Sequence, residues 1–370
     1  MKKIKILANY LPQFYETPEN NEFWGKGYTD WEAVKSAIPV IRNQNQPKVP
    51  LNKFYYRLDE VSAIKWQVEL AKKYGVYGFA MYHYWFSYND YVLEKPSELI
   101  LSDKSIDIHF MFLWDNSSWK RTWSNVKNAN DWAPKFEKKN VTNNYNNGVL
   151  KELKYGNEEE WKAHFMYLLQ FFKDERYIKI DGKPLFGFFQ PQNSTNELKK
   201  MILYWQDLAI SEGLPGLHIM VRDDRRNLGF QYKFKYSPFA TSNKMNYCIY
   251  RMRQIVLGKL DRPLVVSYDK IWRELIKEAK KSEKNTFLSG FVKYDDTPRR
   301  GKHARIIVNA SPAKFEKYFK KLIEISRAQN KEYLFLTAWN EWGEGAYLEP
   351  DEEMGNEYLA TLKKIAEETN

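Results

Sequence analysis

Two glutamates three residues apart, Glu341 and Glu344, sit in the most polar and aromatic block of the chain, Ala338-Trp339-Asn340-Glu341-Trp342-Gly343-Glu344-Gly345-Ala346-Tyr347-Leu348-Glu349-Pro350. Chemistry at a glycosidic bond needs such a pair, one carboxyl to protonate the leaving oxygen and one to assist attack. Proximity raises the pKa of one by the charge of the other. Gly343 and Gly345 let the backbone turn sharply, so both carboxylates can face the same side. Two Glu at this spacing also describe a solvated helix face. Their place at the end of an apolar strand, between tryptophans and glycines, sets a site level with that plainer reading.

Polar and aromatic residues gather at the ends of the other apolar segments too. The first runs into Asn9-Tyr10-Leu11-Pro12-Gln13-Phe14, with Trp24 and Trp31 beyond. The second ends Tyr82-His83-Tyr84-Trp85, the third Trp114-Asp115-Asn116, the fourth at Gln190, the fifth Arg222-Asp223-Asp224. The seventh passes into Tyr294-Asp295-Asp296-Thr297-Pro298-Arg299-Arg300. Aromatic faces stack on the C–H faces of a pyranose while carboxylates and amides bond its hydroxyls. Tyr10, Gln13, Trp24, Trp114, Asn340, Trp342 and Glu349 are therefore candidate sugar-binding residues. The plainer reading of any one aromatic is that it covers the top of the fold.

Eight apolar segments of strand length would carry these ends: Ile4–Tyr10, Val76–Tyr84, Ile106–Trp114, Pro184–Gln190, Leu217–Val221, a weak Phe234–Ala240, Phe287–Val292 and Tyr333–Trp339. Helical spacing fills 59–74, ending at Gly75, and 158–173, 195–212, 269–280, 312–329 and 352–368. Strands apolar on both faces and alternating with helices predict an α/β fold, a closed (β/α)8 TIM barrel, as one domain over 1–370. Long insertions follow strands one (Pro12 to about Arg57) and three (Asp115–Asn157), on the rim where barrel enzymes keep their sites.

Composition narrows the function classes. The 370 residues carry 58 Lys+Arg against 47 Asp+Glu, a net +11, and 16% aromatics, which excludes a disordered tail. One cysteine, Cys248, excludes an intramolecular disulfide framework and multi-thiolate metal sites. Five scattered His show no metal-binding pair, so no metal and no cofactor are expected. The basic excess reads as Lys pairs on solvated helix faces. Its sharper reading is attraction to anionic lipid or phosphate-linked sugar carriers. No nucleic-acid motif appears. The apolar run after Met1-Lys2-Lys3 is broken by Lys5 and stops at Asn9, too short for a secretory core or a membrane span, so a cytoplasmic location is expected.

The blocks Asn9–Phe14, Trp24-Gly25-Lys26-Gly27-Tyr28-Thr29-Asp30-Trp31, Tyr82–Phe86, Leu93-Glu94-Lys95-Pro96, Asp181-Gly182-Lys183-Pro184 and Trp339–Pro350 together resemble the WbsX family of polysaccharide-biosynthesis glycosyltransferases. That family is similar to glycoside hydrolase family 99, retaining endo-α-mannosidases with a (β/α)8 barrel. The resemblance implies metal-independent chemistry with Glu344 as proton donor. It implies Glu341 as a base that takes the proton of the sugar 2-hydroxyl, giving a 1,2-anhydro sugar. It also marks His83, Tyr84, Trp85, Asn116, Asp296 and Arg299 as substrate-binding candidates. The sequence departs from the family after strand three, where Ser117 replaces a Glu and Thr122 an Arg, and around Pro238-Phe239-Ala240, where a carboxylate is missing.

The expected function is glycosyl transfer or endo-type cleavage in bacterial surface polysaccharide (O-antigen or capsule) biosynthesis. No Gly-rich phosphate loop and no D-x-D pair is present, and the side chains of adjacent Asp223-Asp224 and Asp295-Asp296 diverge. The expected substrate is thus an oligosaccharide or lipid-linked glycan, with peripheral contact at the inner membrane as a further expectation. The alternative is a glycan-binding scaffold of the same fold that has lost turnover.

Overall fold

The computed structural model describes residues 3–120, 149–223, 228–238 and 244–369. Eight parallel strands close on themselves: β1 (Lys5–Tyr10), β2 (Gly78–Ser87), β3 (His109–Trp114), β4 (Lys183–Phe188), β5 (His218–Arg222), β6 (Tyr232–Phe234), β7 (Thr286–Phe291) and β8 (Tyr333–Thr337). Each pairs with its neighbour in chain order, and β1 closes the ring against β8 with Leu7 opposite Phe335. This is the (β/α)8 barrel. Strands β2, β3 and β8 are buried along nearly their whole length, as a sheet covered by helices requires, whereas β5 and β6 are more open.

Helices at Val61–Lys73, Glu158–Phe172, Thr195–Ser211, Tyr268–Ala279, Pro312–Ala328 and Glu357–Glu368 follow the expected pattern. The helix Glu158–Phe172 starts on a capping box in which Asn157 accepts from the Glu160 amide and Glu160 reaches back to the Asn157 amide. Several elements were not legible. Short helices at Pro18–Trp24 and Asp30–Lys35 order the first insertion, Lys95–Ser102 lies between β2 and β3, and Lys244–Lys259 follows β6. A two-stranded parallel sheet, Leu264–Ser267 with Arg305–Val308, is added outside the barrel. Strand β2 runs on to Ser87 because a hairpin strand, Asp90–Val92, pairs with its end.

Strand alternation sorts the aromatic residues. Successive side chains on a barrel strand point in and out by turns. At the end of β2 this sends Tyr82 and Tyr84 toward the interior and His83 and Trp85 into the layer between sheet and helices. Trp114 points the same outward way and meets Trp205 and His164 of the helices. Trp31, Trp85, Trp114, Trp339 and Trp342 are all buried. Much of the aromatic load is therefore wall rather than rim.

Candidate active site

The turn after β8 is built so that two carboxylates project from one short segment. Asn340–Glu341 pairs antiparallel with Ala346–Tyr347, and Trp342–Glu344 forms a single 3-10 turn between them. Gly345 closes it with φ 56°, a left-handed conformation that a side chain resists. The Asp295 amide holds the Glu344 carbonyl at 2.7 Å, tying the turn to the loop after β7.

That loop carries Arg299, which joins the pair. Its Nη1 donates to Glu344 Oε1 at 3.1 Å and its Nη2 to Glu341 Oε2 at 3.3 Å. The same guanidinium reaches Asp30 of the first insertion, Nη2 to Oδ2 at 3.2 Å and Nε to Oδ1 at 3.4 Å. Asp30 Oδ2 also accepts from the Gly343 amide at 3.1 Å. A Cβ on Gly343 would fall 2.5 Å from Arg299 Nε and 2.6 Å from Asp30 Oδ2, so only glycine fits there.

Burial sets the electrostatics. Asp30 is fully buried and Glu341 is 4% exposed, whereas 21% of the Glu344 side chain is open. Burial pushes the Glu341 carboxyl well above the ordinary carboxylate range; Arg299 opposes this, and Glu344 and Asp30 add to it. The Tyr82 hydroxyl favours the ionised form of Glu341 and meets the Tyr236 hydroxyl at 2.8 Å. Burial raises both phenols, and the negative field of Glu341 and Glu344 reinforces it. Burial raises Tyr84 as well, with Asp115 and Glu341 adding to it, and Trp119 stands edge-on at 5.6 Å.

A second polar cluster lies at the ends of β3, β4 and β5. Asp115 is raised by burial, with the Ser117 hydroxyl donating to it at 2.8 Å and Arg222 attracting it. Arg222 donates to Gln190 at 3.0 Å. The serine found in place of a family glutamate is therefore a hydrogen-bond donor to the neighbouring carboxyl. Thr122 and the Phe239-Ala240 loop lie outside the described residues.

The structure brings together Glu341, Glu344, Arg299 and Tyr84. Trp24 is half-buried, its ring tilted 40° to that of Tyr28 with centroids 5.8 Å apart, and Tyr28 lies in the field of Asp30 and Arg299. Gln13 contributes its backbone carbonyl to the Asp30 amide and aims its side chain at Asn20. Four candidates form a buried support beneath the turn. Glu349 accepts from Trp342 at 2.6 Å, Tyr56 at 2.8 Å and Gln67 at 2.7 Å, and Tyr10 donates to Gln67. Burial pushes Glu349 up to about 7. Asn340 clamps both backbone groups of Leu11.

Other candidates are engaged elsewhere. His83 Nε2 meets His164 Nε2 at 2.8 Å, and burial lowers His83 to about 3. Trp85 is sandwiched between Tyr91 and His164, and Trp114 donates to the Trp85 carbonyl. Asn116 bonds both backbone groups of Gln190, fastening β3 to β4. Asp296 is buried under Arg305 at 2.8 Å, Arg300 at 3.0 Å and Tyr294 at 3.2 Å. Sequence reasoning did not single out Asp30, Tyr82, Tyr236, Asp115 or Arg222 as site residues. Strand alternation applied to Tyr82-His83-Tyr84-Trp85 was the available signal for Tyr82.

Among the described residues no group of three or more His, Cys, Asp or Glu converges as a metal site. Residues 6–362 match the family model described as Glycosyltransferase WbsX. Two curated relatives, both the uncharacterized protein WxcX of Xanthomonas campestris pv. campestris, are 27% identical over 370 residues. The match covers 97% of this chain and 49% of theirs, so the chain spans about half the length of the curated relatives it matches. Among solved structures, the GH99 endo-α-mannosidase of Bacteroides thetaiotaomicron superposes with TM-score 0.57 at 13% identity, covering 98% of this chain and 96% of that one. A glycoside hydrolase-like protein superposes with TM-score 0.56 at 13% identity, covering 99% and 94%. At such identity these structures share the fold.

Proposed function

The chain belongs to the glycosyltransferase WbsX family, and from that membership and the site geometry we propose that it acts on a glycosidic bond through Glu341 and Glu344. The carrying observation is that one buried arginine bridges both carboxylates at the C-terminal rim of the barrel. An ion-paired, rim-facing pair is hard to reconcile with a solvated helix face.

In the proposed reaction Glu344, the more open carboxyl, gives its proton to the glycosidic oxygen as the C1–O bond breaks. The electron pair leaves with the departing sugar. Glu341 takes the proton of the 2-hydroxyl while O2 closes on C1, giving a 1,2-anhydro sugar. Water or an acceptor hydroxyl then opens the ring at C1. The acceptor's proton goes to Glu344 and the proton on Glu341 returns to O2. Both inversions occur at C1, so configuration is retained. Arg299 and Asp30 position the pair, and Tyr82, Tyr84, Tyr236 and the Asp115–Arg222 cluster supply hydroxyl-binding groups.

The substrate of this reading is an oligosaccharide or lipid-linked glycan of a bacterial surface polysaccharide, handled in the cytoplasm by one catalytic barrel. The family name favours transfer; the endo-α-mannosidase likeness favours cleavage. The test is incubation with mannan-type and lipid-linked oligosaccharides, comparing the protein with Glu344→Gln. Product formed by the protein and lost in the variant supports the reading. Equal product from both overturns it, and binding without product from either favours a glycan-binding scaffold.

A further inference from the structure

The helix Lys244–Lys259 presents an apolar stripe to solvent. Eleven large apolar side chains are exposed among the described residues, and five of them, Ile249, Met252, Ile255, Val256 and Leu260, crowd into this one stretch at 45 to 66% exposure. Such clustering is uncommon on a surface that faces only water. At about 100° per residue, Ile249, Met252, Ile255 and Val256 share an arc of roughly 120°. Leu260 extends the arc just past the helix end.

Cations frame that arc. Arg251 and Arg253 border it on either side and Lys259 lies within it, all exposed, with exposed Arg262 just beyond. The only acidic residue from Cys248 to Arg262 is Asp261. An apolar stripe edged by arginines matches a surface that is apolar within and anionic at its boundary, where Lys and Arg stems lie along the apolar layer and their heads meet phosphates. No helix among the described residues is long and apolar enough to cross a membrane. The stripe is thus suited to lying in an interface.

Its place in the fold links it to the site. The helix packs against Gly301–His303, with Gly258 facing His303 and His303 Nε2 3.5 Å from Asp261. Gly301–His303 directly follows Thr297–Arg300, the segment that carries Arg299, on the C-terminal side of β7. We infer that Ile249–Leu260 is a docking surface for an anionic lipid bilayer and holds the catalytic end of the barrel at the membrane. This deepens the lipid-linked part of the proposed function, on which its purpose rests, by naming the surface that would bring enzyme and carrier together.

Cys248, the single cysteine, is exposed on the same helix and serves as the reporter. The protein labelled there with a polarity-sensitive fluorophore is titrated with phosphatidylglycerol and phosphatidylcholine vesicles, and binding is measured in parallel by flotation of unlabelled protein. Binding to the anionic vesicles with a blue shift, weakened by high salt and absent on neutral vesicles, is expected. Met252→Glu with Val256→Glu should weaken binding at least tenfold, and Arg251→Gln with Arg253→Gln several-fold per charge. Both pairs are exposed, and unchanged thermal unfolding confirms the fold. No binding, or equal binding by the apolar-stripe variant, overturns the inference. So does self-association that the same variant abolishes, since the stripe would then belong to a second copy. Glu344→Gln should bind vesicles like the parent, so failure of docking and failure of the glycosidic reading are read separately.

Discussion

Gly343→Ala adds one methyl group at the point where three site elements meet. The new Cβ would lie 2.5 Å from Arg299 Nε and 2.6 Å from Asp30 Oδ2, while the φ of Gly343 lies outside the left-handed region. Backbone strain is therefore not the issue; crowding is. Ordinary contact begins near about 3.5 Å, so the ion pair must retreat by about 1 Å. The Arg299–Asp30 bonds already measure 3.2 and 3.4 Å and do not survive that retreat. The Gly343 amide loses its 3.1 Å bond to Asp30 at the same time. Overpacking of this kind costs about 1–3 kcal/mol. A displacement of about 1 Å in a catalytic arrangement costs on the order of a hundredfold in turnover. The assay is kcat/KM on the oligosaccharide that the parent protein turns over, with thermal unfolding alongside. Turnover within a few-fold of the parent and an unchanged melting temperature would refute the view that Asp30, Arg299 and the Glu341–Glu344 turn act as one rigid unit.

Four further outcomes follow from the same geometry. Arg299→Met leaves three carboxylates without their cation and should cost about 3–5 kcal/mol in a denaturant titration, with turnover lost. Because the Glu341 pKa is raised on folding, the folded state keeps a proton that the unfolded chain releases above about pH 4.5. That stability is present below the unfolded value and lost as pH climbs through the folded one, so Glu341→Gln should flatten the alkaline decline in thermal melts while removing activity. The opposite sign applies to His83 and His164, whose pKa values burial lowers: their contribution is present above about pH 6.5 and fades on acidification, by up to ~1.4 kcal/mol per pH unit for each histidine. Replacing both with Phe should make the acid limb of a melting-temperature profile shallower. Asp30→Asn removes a charge that raises Glu341 and should move the alkaline limb of a kcat/KM profile to lower pH; an upward move would contradict the charge assignment.

The barrel was legible because its strands are long apolar runs, and each of the eight expected segments overlaps an observed strand. The short β6, Tyr232–Phe234, starts earlier and ends sooner than Phe234–Ala240 because its partners β5 and β7 offer only brief registers. The helix Lys244–Lys259 was not read from the sequence, although Ile249, Met252, Ile255 and Val256 recur there at helical spacing. The carboxyl pair was legible from Glu341, Glu344 and the glycines around them. Which aromatic neighbours face inward was not read, although strand alternation contains it. His83 and Trp85 look as sugar-like as Tyr82 and Tyr84 until the inward and outward faces of β2 are separated. Asp30 was invisible for a different reason. It reaches Arg299 across 269 residues, and nothing local in Gly27-Tyr28-Thr29-Asp30-Trp31 states that contact.

Charge balance then explains why a buried arginine belongs beside this carboxyl pair. Asp30, Glu341 and Glu344 offer three negative charges to one guanidinium in a pocket where water contributes little screening. Full ionisation would leave two charges unmatched, which burial opposes most strongly at Glu341, the deeper of the pair. Burial thus favours keeping one proton on Glu341. The proposed reaction needs that proton on Glu344 and Glu341 free to accept the 2-hydroxyl proton. A sugar hydroxyl donating toward Glu341 stabilises its ionised form, and a glycosidic oxygen beside Glu344 gives the displaced proton a place to act. Substrate binding thus shifts one stored proton from base to acid without drawing a proton from solvent. The net charge of the cluster is unchanged because the proton stays within it, and Arg299, in contact with both carboxylates, offsets the charge on whichever one is ionised.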